Sequence, residues 1–333
     1  MNKKKRSLLK SLVVAGIVVV NCALPVHAAD KSHSYILATA TTGGTFYPVG
    51  VAIATLTKVK LEPKHKVSLS AISSAGSGEN IKLLRENQSQ FAILQGLYGA
   101  WAWDGKGKVE SPQSHLRAVT MLWQNVEHFA VKSDIVKSGT VADLKQFNQA
   151  AFSIGKRNSG TEGSGRHILS ALGIDADKIF NVVYLGYGPS ADALQNGNIK
   201  GMNIPAGVPV STIARAFAAF GDKITVLDFT DEQLGLVNSS YPLWARYVIP
   251  AKTYPSQEKA INTIAQPNFL TVREDVPEED VYLITKTIYE NLPFLHAIHK
   301  ATKAMALKKA IVGLPMPLHP GAARYYKEAG FEL

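Results

Sequence analysis

The sequence predicts an α/β fold built mainly from parallel strands. From Tyr35 onward, segments with the hydrophobic pattern of strands alternate with segments that have the pattern of helices, and no repeat of fixed period interrupts them. Three of the strand-to-helix junctions are rich in Gly, Ser and Thr. The 333 residues suffice for two domains, and 46% hydrophobic with 19% charged residues is an ordinary globular composition.

Residues 1–28 have the order of a secretory signal peptide. Basic residues precede an apolar stretch at 12–20, and Val26 and Ala28 put small residues at the −3 and −1 positions of a cleavage site. We therefore predict cleavage after Ala28 and a mature chain in the periplasm. The apolar stretch is too short to anchor the chain in a bilayer, and no later one reaches about 18 residues.

Half of the formal net charge and the single cysteine lie in this predicted signal. Removing it lowers the formal charge from +10 to +5, and no basic stretch interleaved with aromatic residues follows, so nucleic-acid binding is not predicted. Cys22 is the only cysteine, so the mature chain would hold no disulfide and no thiolate metal site. Cys22 as a lipidated N-terminus is the competing interpretation, but Asn21 before it fits such a site poorly.

The first junction joins a strand to a helix through a cluster of Thr and Gly. Residues 35–37 favour a strand, and residues 41–45 read TTGGT. Apolar residues then recur with the spacing of one helical face, at Val49, Ala52, Ile53 and Leu56. Paired glycines allow a ligand close to the backbone, and a helix start offers unpaired N–H groups at its positive end. The turn is therefore a candidate anion site.

Two later junctions have the same design. Residues 67–72 alternate like a strand and lead through SSAGSG at 73–78 into a helical pattern. In the third junction, a strand ends before Ser159 and Glu162, which have the spacing of a capping box, and Gly173 ends the helix. Because ligands in open α/β sheets bind beyond the carboxyl ends of the strands, we expect these helix starts to converge on one cleft.

Two sequence motifs typical of enzymes are incomplete in this chain. Gly160 and Gly165 have the spacing of a phosphate loop, but Arg166 and His167 stand where Lys and then Ser or Thr are needed. Glu162 stands where a serine nucleophile elbow needs its first Gly. The predicted role is therefore binding without catalysis, and a hydrolase is the weaker alternative.

A histidine pair raises the question of a metal site. His296 and His299 are three apart on a predicted helix, a spacing that can present both to a metal ion. No Asp or Glu stands at ligand spacing beside them, and Lys300 and Lys303 follow. We interpret the segment as a solvated helical face, so no metal and no cofactor is predicted.

Six segments occur in the order found in one known family. They are TTGGTFYPVG (41–50), SSAGSGENIKLL (73–84), IGKRNSGTE (154–162), AGVPVSTI (206–213), YPLWARYVIPAKTYPSQ (241–257) and GLPMPLHPGAARYYKEAG (313–330). In this order they resemble the TAXI family, the solute-binding proteins of tripartite ATP-independent periplasmic (TRAP) transporters. The resemblance covers essentially the whole mature chain.

The resemblance implies a two-lobed fold like that of type II periplasmic binding proteins, with the ligand in the cleft between the lobes. It implies a first lobe of residues 35–121 and 252–333, and a second lobe of residues 122–251 with the crossover segments. The chain would act as a monomer, close on a small carboxylate such as glutamate or 2-oxoglutarate, and deliver it to a membrane permease. An exported sensor that signals to a membrane receptor is the alternative.

The resemblance also implies the ligand contacts. Carried over onto this sequence, they are Gly44, Thr45, Phe46, Tyr47, Ser77, Asn80, Gln95, Ser159, Gly160 and Thr161. The chain departs from the family after Gln95, where Gly96 and Leu97 replace a polar pair, and at Lys156 and Arg157, where the family has small residues. Either basic side chain would pair with a second carboxylate if it faced the cleft, and otherwise both are solvated loop charges.

Overall fold

A computed structural model describes residues 32–333 of the chain, so the predicted signal peptide and Cys22 lie outside the described residues. The strands are β1 (His33–Ala38), β2 (Val67–Ile72), β3 (Phe91–Gln95), β4 (Leu116–Val126), β5 (Phe129–Lys132), β6 (Ala151–Ser153), β7 (Asn181–Val183), β8 (Gly201–Asn203), β9 (Ile224–Val226), β10 (Ala245–Ile249) and β11 (Ile261–Arg273). The α-helices are α1 (Phe46–His65), α2 (Ser77–Arg85), α3 (Gly96–Asp104), α4 (Gly160–Ala171), α5 (Ala176–Ile179), α6 (Tyr187–Gln195), α7 (Ser211–Phe220), α8 (Asp231–Val237), α9 (Glu278–Glu290), α10 (Leu292–Ile298) and α11 (Pro320–Glu328).

The strands form two sheets, and each sheet with its helices is one lobe. The lobe I sheet has the order β10-β11-β3-β1-β2, and β4 also pairs with β11. The lobe II sheet has the order β7-β6-β8-β5-β9. The predicted two-lobed α/β architecture is therefore confirmed.

The expectation of mainly parallel strands is wrong for part of each sheet. Strand β1 runs parallel to β2 and β3, and β6 runs parallel to β7 and β8. Strand β11 is antiparallel to β3, β4 and β10, and β5 is antiparallel to β8 and β9. Parallel pairing needs a helical crossover between strands, whereas β4, β5 and β11 belong to the segments that pass between the lobes.

The two long strands β4 and β11 are the main connection between the lobes. They pair with each other from Leu116 opposite Arg273 to Val126 opposite Ala265. Beyond Val126 the chain enters β5 of lobe II, and Val126 also bridges to Ala206 of that lobe. Strand β10 pairs with β11 in the lobe I sheet although its residues fall within the 122–251 range expected for lobe II. The expected lobe boundary remains a prediction.

The predicted apolar face of the first helix is buried. Val49, Ala52, Ile53 and Leu56 of α1 are each at most 5% exposed and pack in the lobe I core with Leu37 and its neighbours. No helix within residues 32–333 combines the length and the apolar character that crossing a membrane requires.

Asn80 ties the end of β1 and the middle of β3 to the loop before α2. Its fully buried amide donates to the carbonyl oxygens of Thr39, at 2.7 Å, and Ile93, at 2.9 Å. Its Oδ1 accepts from the Ser74 hydroxyl at 2.6 Å. The family resemblance assigns Asn80 to the ligand, but in this structure its hydrogen bonds stabilise the fold.

We expect Asn80→Ala to lower the free energy of unfolding by about 2–4 kcal/mol, because it leaves buried carbonyl oxygens and a hydroxyl without partners. Urea denaturation of the mature protein measures the loss. Asn198→Ala, at an exposed position of lobe II, serves as the control and should change stability by no more than about 0.5 kcal/mol. Equal small effects of the two substitutions would contradict this structural role.

Candidate functional site

A small pocket lies between the lobes where the N-termini of α1, α2 and α4 meet. Lobe I lines it with Ala40, Thr41, Gly44, Thr45, Phe46, Ala75, Gly76, Ser77 and Gln95. Lobe II lines it with Lys156, Ser159, Gly160, Thr161, Gly186, Tyr187, Pro205 and Ala206. The cavity volume is about 30 Å³, far below the several hundred Å³ of ordinary small-molecule sites, so a ligand larger than a few atoms requires the lobes to part.

Hydrogen bonds across the cleft hold the lobes together. The Thr45 hydroxyl donates to the Gly207 carbonyl oxygen at 3.2 Å and accepts from the Gly207 amide at 3.1 Å. Near the second junction, the Glu79 amide donates to the Asn158 carbonyl oxygen at 3.0 Å. The Tyr98 hydroxyl donates to the Ser159 carbonyl oxygen at 3.1 Å. The Thr45 hydroxyl, expected to donate to a ligand, therefore gives its hydrogen to the opposite lobe in this closed conformation.

The starts of α2 and α4 face each other at very short range. Gly76, directly before α2, has φ +124°, a conformation that other residues rarely adopt. A Cβ atom on Gly76 would lie 3.4 Å from the Gly160 backbone nitrogen at the first residue of α4. Each helix start carries the equivalent of about half a positive charge, so two of them in contact favour an anion between them.

Gln95 adds a buried polar group at this meeting point. Its backbone N–H is not free to donate to a ligand, because it already donates to the Ser77 hydroxyl oxygen at 3.1 Å. Its side-chain Oε1 is buried and has no hydrogen-bond partner among residues 32–333. A Cβ atom on Gly160 would lie 2.7 Å from this oxygen. Because Gln95 lies so close to the start of α4, glycine is the residue that fits at position 160.

The predicted capping box at α4 forms only in part. The Ser159 hydroxyl oxygen accepts from the Glu162 amide at 3.0 Å, as expected for an N-cap residue. The Glu162 carboxylate accepts instead from the Asn158 amide at 2.8 Å, so the reciprocal half of the box is wrong. At α2, the Glu79 carboxylate binds the Ala75 amide in the equivalent way at 2.6 Å. In both helices, a third-position Glu thus orders the loop that enters the cleft.

The structure separates the two basic residues before α4. Lys156 lines the pocket. The Arg157 guanidinium lies 3.7 Å from the ring centroid of Tyr184 and faces a neighbouring groove with Asn158. Among the expected contacts, Tyr47, Asn80 and Arg157 do not line the pocket, whereas the other expected contacts do.

Tyr187 is a lining residue that the sequence reasoning missed. Its hydroxyl donates to the Pro205 carbonyl oxygen at 2.5 Å and lies 2.9 Å from the Thr161 hydroxyl. Burial raises the pKa of this phenol far above its ordinary value, so the hydroxyl stays neutral. A signal was present, because residues 186–190 read GYGPS at a further strand-to-helix junction, from β7 to α6.

The buried histidine of the crossover is structural. His128 lies 2.9 Å from the Val126 carbonyl oxygen and 2.8 Å from the Tyr254 hydroxyl. Burial lowers its pKa to about 4, so the ring is neutral at physiological pH. Within residues 32–333, no group of three or more His, Cys, Asp or Glu residues is placed to hold a metal ion, and His296 and His299 form no such group.

Solved structures with a similar fold include periplasmic binding proteins. MatC from Rhodopseudomonas palustris with bound malate aligns with a TM-score of 0.57 and 12% identity, over 91% of this chain and 99% of that one. The periplasmic binding protein BugD aligns with a TM-score of 0.52 and 12% identity, over 90% and 95% of the two chains. At such identities the likeness shows the fold.

A TRAP periplasmic solute-binding protein from Anaerococcus prevotii with bound D-glucuronate aligns at a TM-score of 0.44 and 12% identity, over 90% of this chain and 86% of that one. The pattern of one protein family covers nearly all of the described chain, from residue 37 to residue 330. The chain belongs to the NMT1-like family.

Proposed function

We propose that this chain is a TAXI-type solute-binding protein that captures a small organic acid outside the cytoplasm and delivers it to the permease of a TRAP transporter. The observation that carries this proposal is the contact between the N-termini of α2 and α4, one from each lobe, inside the cleft. An anion placed there is stabilised by both helix starts at once, so binding it favours the closed conformation.

The lining of the pocket fits binding better than catalysis. It contains no His, Cys, Asp or Glu, and Lys156 is its one ordinarily charged side chain among the described residues. A general base or an activated nucleophile would need a titratable partner within hydrogen-bond reach. The proposed ligand therefore leaves the cleft chemically unchanged.

The ligand we propose is a small acid with one or two carboxylates, such as glutamate or 2-oxoglutarate. One carboxylate would lie at the starts of α2 and α4, close to the Ser77 and Ser159 hydroxyls. Lys156 lines the pocket and would pair with a second carboxylate by a charge-assisted hydrogen bond. The malate in MatC is likewise a dicarboxylate, which supports this class of ligand.

The remaining parts of the proposal come from the sequence. A signal peptide cleaved after Ala28 would export the chain to the periplasm, where a monomer would exchange with the permease. N-terminal sequencing of the exported protein tests the cleavage site, and a mature chain beginning at a lipidated Cys22 would contradict it.

We expect ligand binding to close the lobes, with one ligand per chain. A saturating acid found by a thermal-shift screen of carboxylates should reduce the radius of gyration in solution scattering, because the lobes rotate together about β4 and β11. The same sample, recovered afterwards, should contain the acid unchanged. An unaltered scattering curve, or consumption of the acid, would contradict the proposed function.

Gly160→Ala should weaken binding of that acid by at least about tenfold, because the added Cβ would lie 2.6 Å from the Gln95 side chain and prop the cleft open. Gly188→Ala is the matched control, since a Cβ there meets no atom within 4 Å. Calorimetry on both variants makes the comparison. Equal affinities would show that the contact between α2, α4 and Gln95 does not form the site.

Lys156→Ala should weaken a dicarboxylate by about 10–100-fold, roughly 1.5–3 kcal/mol, because the second carboxylate loses its cation. Arg157→Ala should change the affinity little, because this side chain stacks on Tyr184 outside the pocket. A monocarboxylate of similar size should lose little affinity in either variant. Calorimetry that finds the larger loss in Arg157→Ala would reverse the assignment of the two residues.

A further inference from the structure

One segment of lobe I carries most of the net positive charge of the predicted mature chain. Residues 291–312 contain four lysines and neither Asp nor Glu, which gives a formal charge of +4 out of +5. The lysines are Lys300, Lys303, Lys308 and Lys309. All four are exposed, and the ion pairs found within residues 32–333 include none of them. Exposed cations without compensating acids attract an anionic partner.

The core of lobe I fixes one side of this segment. After α10 the chain forms two short 3₁₀ helices, at Lys300–Ala304 and Leu307–Lys309. Leu295 and Met305 are each at most 1% exposed and belong to the lobe I core. The Thr302 hydroxyl donates to the Leu295 carbonyl oxygen at 2.8 Å, which holds the first 3₁₀ helix on α10. The exposed side chains of the segment therefore lie on its outer side.

Large apolar side chains are exposed in the same segment as these lysines. Phe294 is 40% and Ile298 46% exposed, and their spacing of four residues places them on one face of α10. Lys300 and Lys303 are three apart in the 3₁₀ helix that follows, so they share one side of it. Val312, at the end of the segment, is 61% exposed. We call the exposed side chains of residues 291–312 the lysine surface.

The lysine surface borders the mouth of the cleft. A Cβ atom on Gly207 of lobe II would lie 2.5 Å from the Ala301 Cβ atom, so the first 3₁₀ helix reaches the opposite lobe. His299, directly before this helix, lines a groove together with residues 42–44 of lobe I and residues 209–211 of lobe II. A partner bound at the lysine surface would therefore lie next to one edge of the cleft.

We propose that the lysine surface binds the anionic phospholipid headgroups of a membrane. The inference goes beyond the proposed function, because it concerns where the chain is held and does not depend on what the cleft binds. Each lysine close to an anionic bilayer is attracted by its negative surface potential. The exposed Phe294 and Ile298 side chains would enter the boundary between headgroups and acyl chains beside these lysines.

The chemistry of this surface fits a bilayer better than an acidic protein. Its four cations are all lysines, whose flexible ammonium groups act as point charges, whereas arginine matches the fixed geometry of a carboxylate. Point charges spread over successive turns are attracted by many headgroups at once and need no partner of matching shape. A chain bound in this way would hold one edge of its cleft near the membrane, where the proposed permease takes up the ligand.

Flotation of the mature protein with lipid vesicles tests the proposal. Vesicles of phosphatidylcholine are compared with vesicles of phosphatidylcholine mixed with phosphatidylglycerol, which is anionic. We expect binding to the anionic vesicles to be at least about tenfold stronger at low ionic strength and to fall as salt screens the attraction. Equal binding to the two kinds of vesicle, or binding to neither, would overturn the proposal.

Substitution of the four lysines locates the binding surface. The combined variant Lys300→Gln, Lys303→Gln, Lys308→Gln and Lys309→Gln should bind anionic vesicles at least about tenfold more weakly. The matched control removes four exposed lysines of lobe II: Lys137→Gln, Lys145→Gln, Lys178→Gln and Lys223→Gln. It has the same net charge and should stay within about threefold of the native protein, because charges beyond the screening length contribute little. Equal losses in the two variants would show that net charge alone attracts the chain, against the proposal.

A fluorescent label tests whether the apolar side chains enter the bilayer. The predicted mature chain has no cysteine, so Phe294→Cys and Leu236→Cys each provide one site for an environment-sensitive dye. Leu236 is the control, because it is 45% exposed but lies on α8 of lobe II. Anionic vesicles should shift the emission of the dye at position 294 to shorter wavelength and leave the dye at position 236 unchanged. The same emission at both positions would contradict the assigned surface.

The inference and the proposed function fail separately. The combined variant at positions 300, 303, 308 and 309 should bind the acid in the cleft as the native protein does, since other residues line the pocket. If the native protein does not bind anionic vesicles but this variant slows delivery to a permease reconstituted in phosphatidylcholine, the lysines contact an acidic protein and the lipid proposal is wrong. Circular dichroism confirms that each variant is folded, and the measurements on the native protein do not depend on the variants.

Discussion

The contact between the starts of α2 and α4 is the constraint on which the rest of the cleft depends. Two positive helix ends repel each other unless an anion lies between them, yet this fold brings them together from separate lobes. Gly76 and Gly160 allow the approach, because a side chain at either position would strain the backbone or meet Gln95. The preference of the cleft for an anion therefore arises from the packing of two helix starts and needs no arginine.

Closure is supported by groups that do not themselves need to touch a ligand. The Thr45 hydroxyl bonds to both backbone groups of Gly207 across the cleft, and Tyr98 reaches Ser159 from the opposite lobe. These bonds compete with water when the lobes part, so each contributes modestly to the closed state. A ligand that binds the closed conformation better than the open one shifts this balance further.

The crossover strands have a mechanical role in the fold. Strands β4 and β11 pair antiparallel along most of their length, which keeps the lobes in register.

The sequence alone determined the alternation of strands and helices, the buried face of α1 and the three glycine-rich helix starts, because these depend on local hydrophobic period and on backbone freedom. It also pointed to most of the residues that line the pocket. Only the tertiary structure decided that Lys156 lines the pocket while Arg157 stacks on Tyr184, since neighbouring loop residues point according to what packs around them. The directions of the strands that pair with β11 were likewise beyond local pattern, because residues distant in the sequence meet there through long-range pairing.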